Sequence, residues 1–203
     1  MVQKEARPRG RPRSFDVDTV LEKAREVFWN QGYAAASLDD LAAATGVNRP
    51  SLYAAFGDKH ALYMAALNRT RTGAVAAMRA MLAREGRLRD VLGGVLGSAI
   101  GAYVSGDSGP RGCFIVGTAV TQAVDDPAAR ALLTAFIADE DEVFRERFAR
   151  SAGELAPGMT PKAAAMVATA ALQSLAIRAR TGEPVAGLAL MAEATLDAVC
   201  GPA

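Results

Sequence analysis

The residues of this chain that could do covalent or acid–base chemistry are few and scattered. Two cysteines, Cys113 and Cys200, lie far apart with no C-x-x-C spacing, so neither a zinc site nor a disulfide framework is indicated. That usage fits a reducing cytoplasm. His60 is the single histidine and stands beside a helix cap without partners at metal or triad spacing, so it is given no chemical role. Cys113 follows Arg111-Gly112 at a helix start, where a cation and orphan N–H groups could hold a thiolate for redox or electrophile sensing. A buried, inert cysteine is the competing reading, because free cysteine is commonly buried. The run Asp139-Glu140-Asp141-Glu142 could attract a cation, yet Asp141 with Arg145 and Glu146 with Arg150 have i, i+4 spacing, which reads as a solvated, self-paired face. No general base or phosphate loop accompanies Cys113, so a thiol enzyme is disfavoured and no cofactor is indicated.

Chemistry directed at a polyanion is better supported. Residues 1–13 carry Lys4, Arg7, Arg9, Arg11 and Arg13 against Glu5, whereas residues 61–203 balance 14 basic with 14 acidic residues. The overall charge of +1 therefore conceals a basic N-terminal arm. Further along, the segment from Asn48 to Phe56 sorts itself by angle. At about 100° per residue, Leu52 and Phe56 share one helical face, and Pro50, Ser51 and Ala54 lie opposite. Arg49 and Tyr53 flank that second face with side chains long enough to reach a base edge or a phosphate, and Asn48 can cap the helix start.

These residues need elements to hold them, and the chain reads as all-α throughout. It is 51% hydrophobic and 22% charged, rich in alanine and poor in aromatic residues, a composition that favours closely packed helices. Gly, Pro and cap residues divide it into about nine helices: 16–31, one beginning after Ser37, 48–56, one running from the Asp58 cap past Met78, then roughly 88–104, 113–124, 127–152, 161–180 and 184–199. Loops are expected at 105–112 and 153–159. The longest apolar runs are shorter than the ~20 residues needed to cross a bilayer, and no apolar stretch follows the N-terminal charges as a secretory signal requires.

The second helix, the turn Thr45-Gly46-Val47 and the third helix form a helix-turn-helix, the unit that lays its second helix in the DNA major groove. Ser37-Leu38-Asp39-Asp40-Leu41-Ala42-Ala43-Ala44-Thr45-Gly46-Val47, followed by Ser51-Leu52-Tyr53-Ala54-Ala55-Phe56-Gly57-Asp58-Lys59, resembles the DNA-binding region of the TetR family, over about residues 14–65. The resemblance implies a three-helix DNA-binding head at 14–62 behind a flexible arm at 1–13, and an effector-binding and dimerisation region at 63–203. It implies DNA contacts from Ser37, Asn48, Arg49, Pro50, Ser51, Tyr53 and Lys59. Ser37, Lys59 and Tyr53 would hold phosphates, Arg49 could fork onto a guanine, and Pro50 and Ala54 could touch thymine methyls. Arg9-Gly10-Arg11-Pro12 looks like the core of an AT-hook, whose arginines suit a narrow minor groove.

In the same family the last two helices pair with their copies as a four-helix bundle, which here implies a homodimer through Leu172, Leu175, Ile177, Leu188, Met191, Leu196 and Val199. The alternative is that these residues are buried within one subunit. Met64, Met78, Met81, Tyr103, Cys113, Phe114 and Phe136 could line an effector pocket or serve as ordinary core. Gly93, Gly97 and Gly101, four residues apart, either admit a neighbouring helix or leave space for a ligand. The expected function is a dimeric repressor that holds a near-palindromic operator and is released by a small effector. An architectural DNA-binding protein without effector is the other class.

Overall fold

The computed structural model describes residues 15–106 and 109–202, and among them every regular element is helical. The arm bearing Arg9, Arg11 and Arg13 lies outside the described residues. Three short helices come first: α1 (Val17–Ala35), α2 (Leu38–Thr45) and α3 (Arg49–Phe56). They are followed by α4 (Lys59–Leu82), α5 (Leu88–Val104), α6 (Phe114–Gln122), α7 (Pro127–Arg150), α8 (Pro161–Arg180) and α9 (Val185–Cys200). No helix among the described residues is long and apolar enough to cross a membrane.

The caps explain the starts. Asp16, Ser37, Asn48, Asp58, Asp126 and Thr160 each accept a hydrogen bond from a backbone N–H of the first turn they open. At Ser37 the capping box is complete, and the hydroxyl and backbone N–H of Ser37 both donate to the Asp40 carboxylate, at 2.6 and 3.0 Å. Three expected boundaries are corrected. Gly32 leaves helical geometry (φ 80°, ψ 163°), yet the chain recovers a last turn to Ala35 because the Ala36 N–H returns to the Gly32 carbonyl. Pro184 is the N-cap of α9 and not its first helical residue, and α7 ends at Arg150 before a 3-10 turn at Ala152–Glu154.

Two packed cores result. The first joins Val20, Leu21, Ala24 and Phe28 of α1 to Leu41, Leu52 and the start of α4, and continues into Phe114, Ile115 and Ala119 of α6. Fully burying one such leucine or phenylalanine contributes about 1.5–3 kcal/mol. Tyr63 ties this core together: its ring centroid lies 5.1 Å from that of Phe28 and 6.2 Å from that of Phe114, and its hydroxyl donates to Thr118 Oγ1 at 2.9 Å. Burial pushes the Tyr63 phenol up to about 12. The head is therefore not a detached bead, since its core runs without a break into α6 and α7.

The second core gathers Met78 and Leu82 of α4, Leu88 to Ile100 of α5, Val143 to Phe148 of α7, and the inner faces of α8 and α9. Gly93 alone of its row lets a helix come close, with Leu196 Cδ1 3.5 Å from where a Cβ would sit, while Gly97 and Gly101 face open space. Leu172, Leu175, Leu188, Leu196 and Val199 are all buried here within one chain, and Met191 packs half-buried against them. Of the residues read as core or interface, five are thus core of one chain, Met191 is half-buried, and Ile177 is 55% exposed. A helix that is apolar on most sides does not reveal in its sequence which side the subunit itself covers. The outward face carries Met166, Val167 and Ile177 on α8, and Val185 and Leu190 on α9.

Candidate nucleic-acid interface and internal cavity

α3 presents the face its spacing predicts. Leu52 is 3% exposed and Phe56 is half-buried against the head core, whereas Asn48, Arg49, Pro50, Tyr53 and Ala54 are exposed and Ser51 is half-buried. The turn that aims α3 depends on Gly46, whose backbone (φ 71°, ψ 15°) is left-handed and directs its N–H to the Ala42 carbonyl at 3.0 Å. Thr45, buried, adds a hydrogen bond from its hydroxyl to the Leu41 carbonyl at 2.7 Å and receives the Val47 N–H at 3.3 Å. Asn48 Oδ1 accepts from the Ser51 N–H at 2.9 Å, which occupies its side chain at the helix start.

The charged groups on this face are already engaged in the free protein. Arg49 pairs with Asp39 at the start of α2, which holds the guanidinium firmly protonated. Both side chains are well exposed, so the pair contributes little to stability and is open to exchange for another anion. Lys59 donates to the Ala34 carbonyl at 3.3 Å and lies 4.6 Å from the Tyr33 ring centroid, and partial burial lowers its pKa. The Ser37 hydroxyl donates to Asp40, whose carboxyl is held below the usual range by the Ser37 side chain and backbone. Ser37, Arg49, Tyr53 and Lys59 are thus gathered on the α2–α3–α4 end of the head.

A cavity of about 240 Å³ lies between α4, α5, α6, α7 and α8, with Arg25 and Trp29 of α1 on its wall. Met78, Met81, Tyr103, Cys113, Phe114 and Phe136 line it, and Met78, Phe114 and Phe136 also belong to the packed cores. Met64 does not; it packs in the head core, because its position on α4 lies nearly four turns before Met78. Glu140 was missed. It is 5% exposed, lines the cavity, and its Oε2 has no hydrogen-bond partner. Burial, reinforced by Asp141 and Asp139, pushes its pKa up to about 8; the nearby Gln173 amide opposes this, although its Nε2 makes no hydrogen bond of ordinary geometry. The reading of 139–142 as a solvated face is therefore corrected at Glu140, whereas Glu142 stays exposed. Phe136, Glu140, Val143, Phe144 and Arg147 are all buried at helical spacing, a signal that the charge pattern concealed. The ion pairs differ too: Asp139 is bonded by Arg71 at 2.7 Å, Glu146 by Arg79 at 2.5 Å, and Glu142 by Arg145.

Of the two readings of Cys113, the geometry favours the buried, protonated thiol. Burial pushes the thiol up to about 11, and Glu140 adds to this against the N–H groups of Val116 and Ile115. Arg111, the cation meant to hold it, turns away to pair with Glu26 and to cover the Trp29 ring at 4.3 Å. The Arg111 carbonyl accepts from Trp29 Nε1 and from Arg180 Nη1, each at 3.1 Å. Gly112 is pressed against the Ala176 carbonyl, where a Cβ would collide. One short segment at the cavity rim thereby joins α1 of the head to α8. His60, given no role from sequence, bonds through Nε2 to Asp126 Oδ2 at 2.7 Å and so links the start of α4 to the N-cap of α7.

Comparison with known proteins places this geometry. A family model described as "Bacterial regulatory proteins, tetR family" matches residues 20–66. The HTH-type transcriptional repressor ComR of Escherichia coli (strain K12) is 31% identical over 191 residues, spanning 93% of this chain and 90% of that one. A solved structure of the TetR family transcriptional regulator CifR, a cysteine mutant complexed with 26-bp operator DNA, is 34% identical, with a TM-score of 0.81, covering 93% of this chain and 99% of that one. Reduced NemR of E. coli shares the fold at a TM-score of 0.80 and 17% identity, covering 92% of this chain and 97% of that one.

Proposed function

The chain belongs to the TetR family of helix-turn-helix transcriptional regulators, and from that premise we propose that it is a dimeric repressor that releases its operator when a small molecule fills the cavity. The observation that carries the proposal is the exposed α3 face, with Arg49, Pro50, Tyr53 and Ala54 outward and Leu52 buried behind. Arg49 exchanges Asp39 for a guanine edge, Pro50 and Ala54 touch thymine methyls, and Ser37, Asn48, Ser51, Tyr53 and Lys59 fix the register on phosphates. Arg9, Arg11 and Arg13 add a minor-groove arm. We draw the boundary between the DNA-binding head (14–62) and the effector and dimer region (63–203) within α4.

The dimer forms through the outward face of α8 and α9, where Met166, Val167, Ile177, Val185 and Leu190 leave apolar surface exposed. Two heads related by a two-fold axis then meet a near-palindromic site with half-sites one helical turn or more apart. Effector binding is felt by the head because Arg25 and Trp29 of α1 belong to the cavity wall. A ligand that fits one setting of α1 better than another shifts the spacing of the two heads. Footprinting of the DNA flanking the gene, with sedimentation of the protein at micromolar concentration, tests the proposal. The expected result is a protected near-palindrome and a dimeric mass; a monomer, or protection without symmetry, contradicts it.

A further inference from the structure

The proposed effector cavity carries more chemistry than its size. Besides Arg25 at its wall, Glu140 is the one charged side chain among the described residues that line it. Its Oε2 is buried without a donor, in a place where the fold gains nothing from a carboxyl: an apolar residue of similar volume would leave no unsatisfied oxygen. No cation faces it. On α7 its neighbours Asp139 and Asp141 are acidic, and the one base beside them, Arg71 of α4, is bonded to Asp139. α5 contributes Tyr103 and the start of α6 contributes Cys113, both held neutral by burial. α8 offers Gln173, whose amide lies near enough to Glu140 to favour its charged form, although its Nε2 makes no hydrogen bond. Arg25 of α1 is shared through one terminal nitrogen between Glu22 and Glu26, at 3.7 and 2.9 Å, and its buried Nε has no partner.

From this arrangement we infer that the cavity takes a small monocationic amine, its ammonium group bonded to the Glu140 carboxylate and its apolar body laid against Met78, Phe114 and Phe136. The inference rests on the reading of the cavity as the effector site. An ammonium supplies the donors and the counter-charge that Glu140 lacks, and a charge-assisted bond is stronger than a neutral one. A carboxylate ligand would meet Glu140, the one acid on the cavity wall among the described residues, and could turn only to the Arg25 guanidinium, which is bonded to Glu26 but keeps a buried Nε without a partner. The volume of about 240 Å³ holds roughly eight waters at ~30 Å³ each, enough for one aromatic ring with a short chain. Without ligand, Glu140 keeps its proton at neutral pH; arrival of the ammonium sends that proton to solvent, leaving a carboxylate paired with an ammonium and no net change of charge in the site.

The test is calorimetry on the full-length protein with three probes of one shape: 2-phenylethylamine, 2-phenylethanol and 3-phenylpropanoate. The amine should bind at least tenfold tighter than the alcohol, the carboxylate should not bind, and repeating the titration in buffers of different ionisation enthalpy should show close to one proton released per amine. Glu140→Gln, which keeps shape and removes charge, should weaken the amine tenfold or more and leave the alcohol unchanged. The ranking of probes on the unaltered protein stands independently of how that variant folds. If the alcohol or the carboxylate binds best and releases operator DNA, or if the variant binds the amine as well as the wild type, the amine inference fails and the effector reading survives. If no probe binds and none releases operator, both fail.

Discussion

The reading face of α3 and the cavity behind α1 are two functional regions built in opposite ways. The face is made by nine consecutive residues, 48–56, held by local devices: an Asn48 cap, a left-handed Gly46 and one anchoring leucine. The cavity draws side chains from six helices, and its unsatisfied acid lies 26 residues or more in sequence from every lining residue outside α7. An outward-facing function can be written in a short stretch, because solvent supplies the rest of its surroundings. An inward-facing one exists only once the helices have packed.

Four changes probe that contrast. The largest effect is expected from Leu52→Ala, which removes the anchor behind the reading face and should cost about 2–5 kcal/mol. Urea denaturation should register that loss, and operator affinity should fall with it. If the head keeps full stability, α3 is held by something other than Leu52.

Glu140→Gln comes next and concerns only the interior. In the folded chain Glu140 keeps its proton up to about pH 8, whereas in the unfolded chain it gives it up near its ordinary 4.5. The wild type therefore has its full stability below about pH 4.5, loses it as the pH climbs to about 8, and loses no more beyond. The variant lacks this slope and should exceed the wild type by a few kcal/mol at pH 8, with the gap closing toward pH 5. Parallel pH profiles in urea unfolding would show Glu140 to be solvated.

The two remaining changes separate reading from holding on the outer face. Arg49→Ala should cost about 1–3 kcal/mol in operator binding and relax preference at one base position. Lys59→Ala should weaken all duplexes alike and flatten the salt dependence by about 0.9 log unit of slope, as one lost phosphate contact does. Anisotropy titrations on matched and mismatched duplexes at two salt concentrations distinguish them, and identical behaviour of the two variants would dissolve the distinction.

How much of this was legible in the sequence follows the same divide. Leu52 inward and Arg49, Pro50 and Ala54 outward could be read from helical angle alone, and the nine helices from their caps and breaks, because these signals act over a few residues. Glu140 was hidden within four consecutive acids, although Phe136, Val143 and Phe144 mark its face as buried. The packing of the last two helices was not legible because α8 and α9 are apolar on both sides, and only the packed subunit shows that Leu172 and Leu188 are covered while Met166 and Leu190 are not. The partner of Arg111 was unreadable for a different reason: Glu26 and Trp29 lie more than eighty residues earlier in the chain.

Everything said of the head reduces to whether the α3 face selects a base sequence. Selecting bound duplexes from a random-sequence pool, with the wild type and Arg49→Ala side by side, measures this directly. The account predicts enrichment of one near-palindromic site by the wild type, with information lost at a symmetric pair of positions in the variant. A pool that stays random, or one enriched identically by both proteins, contradicts it.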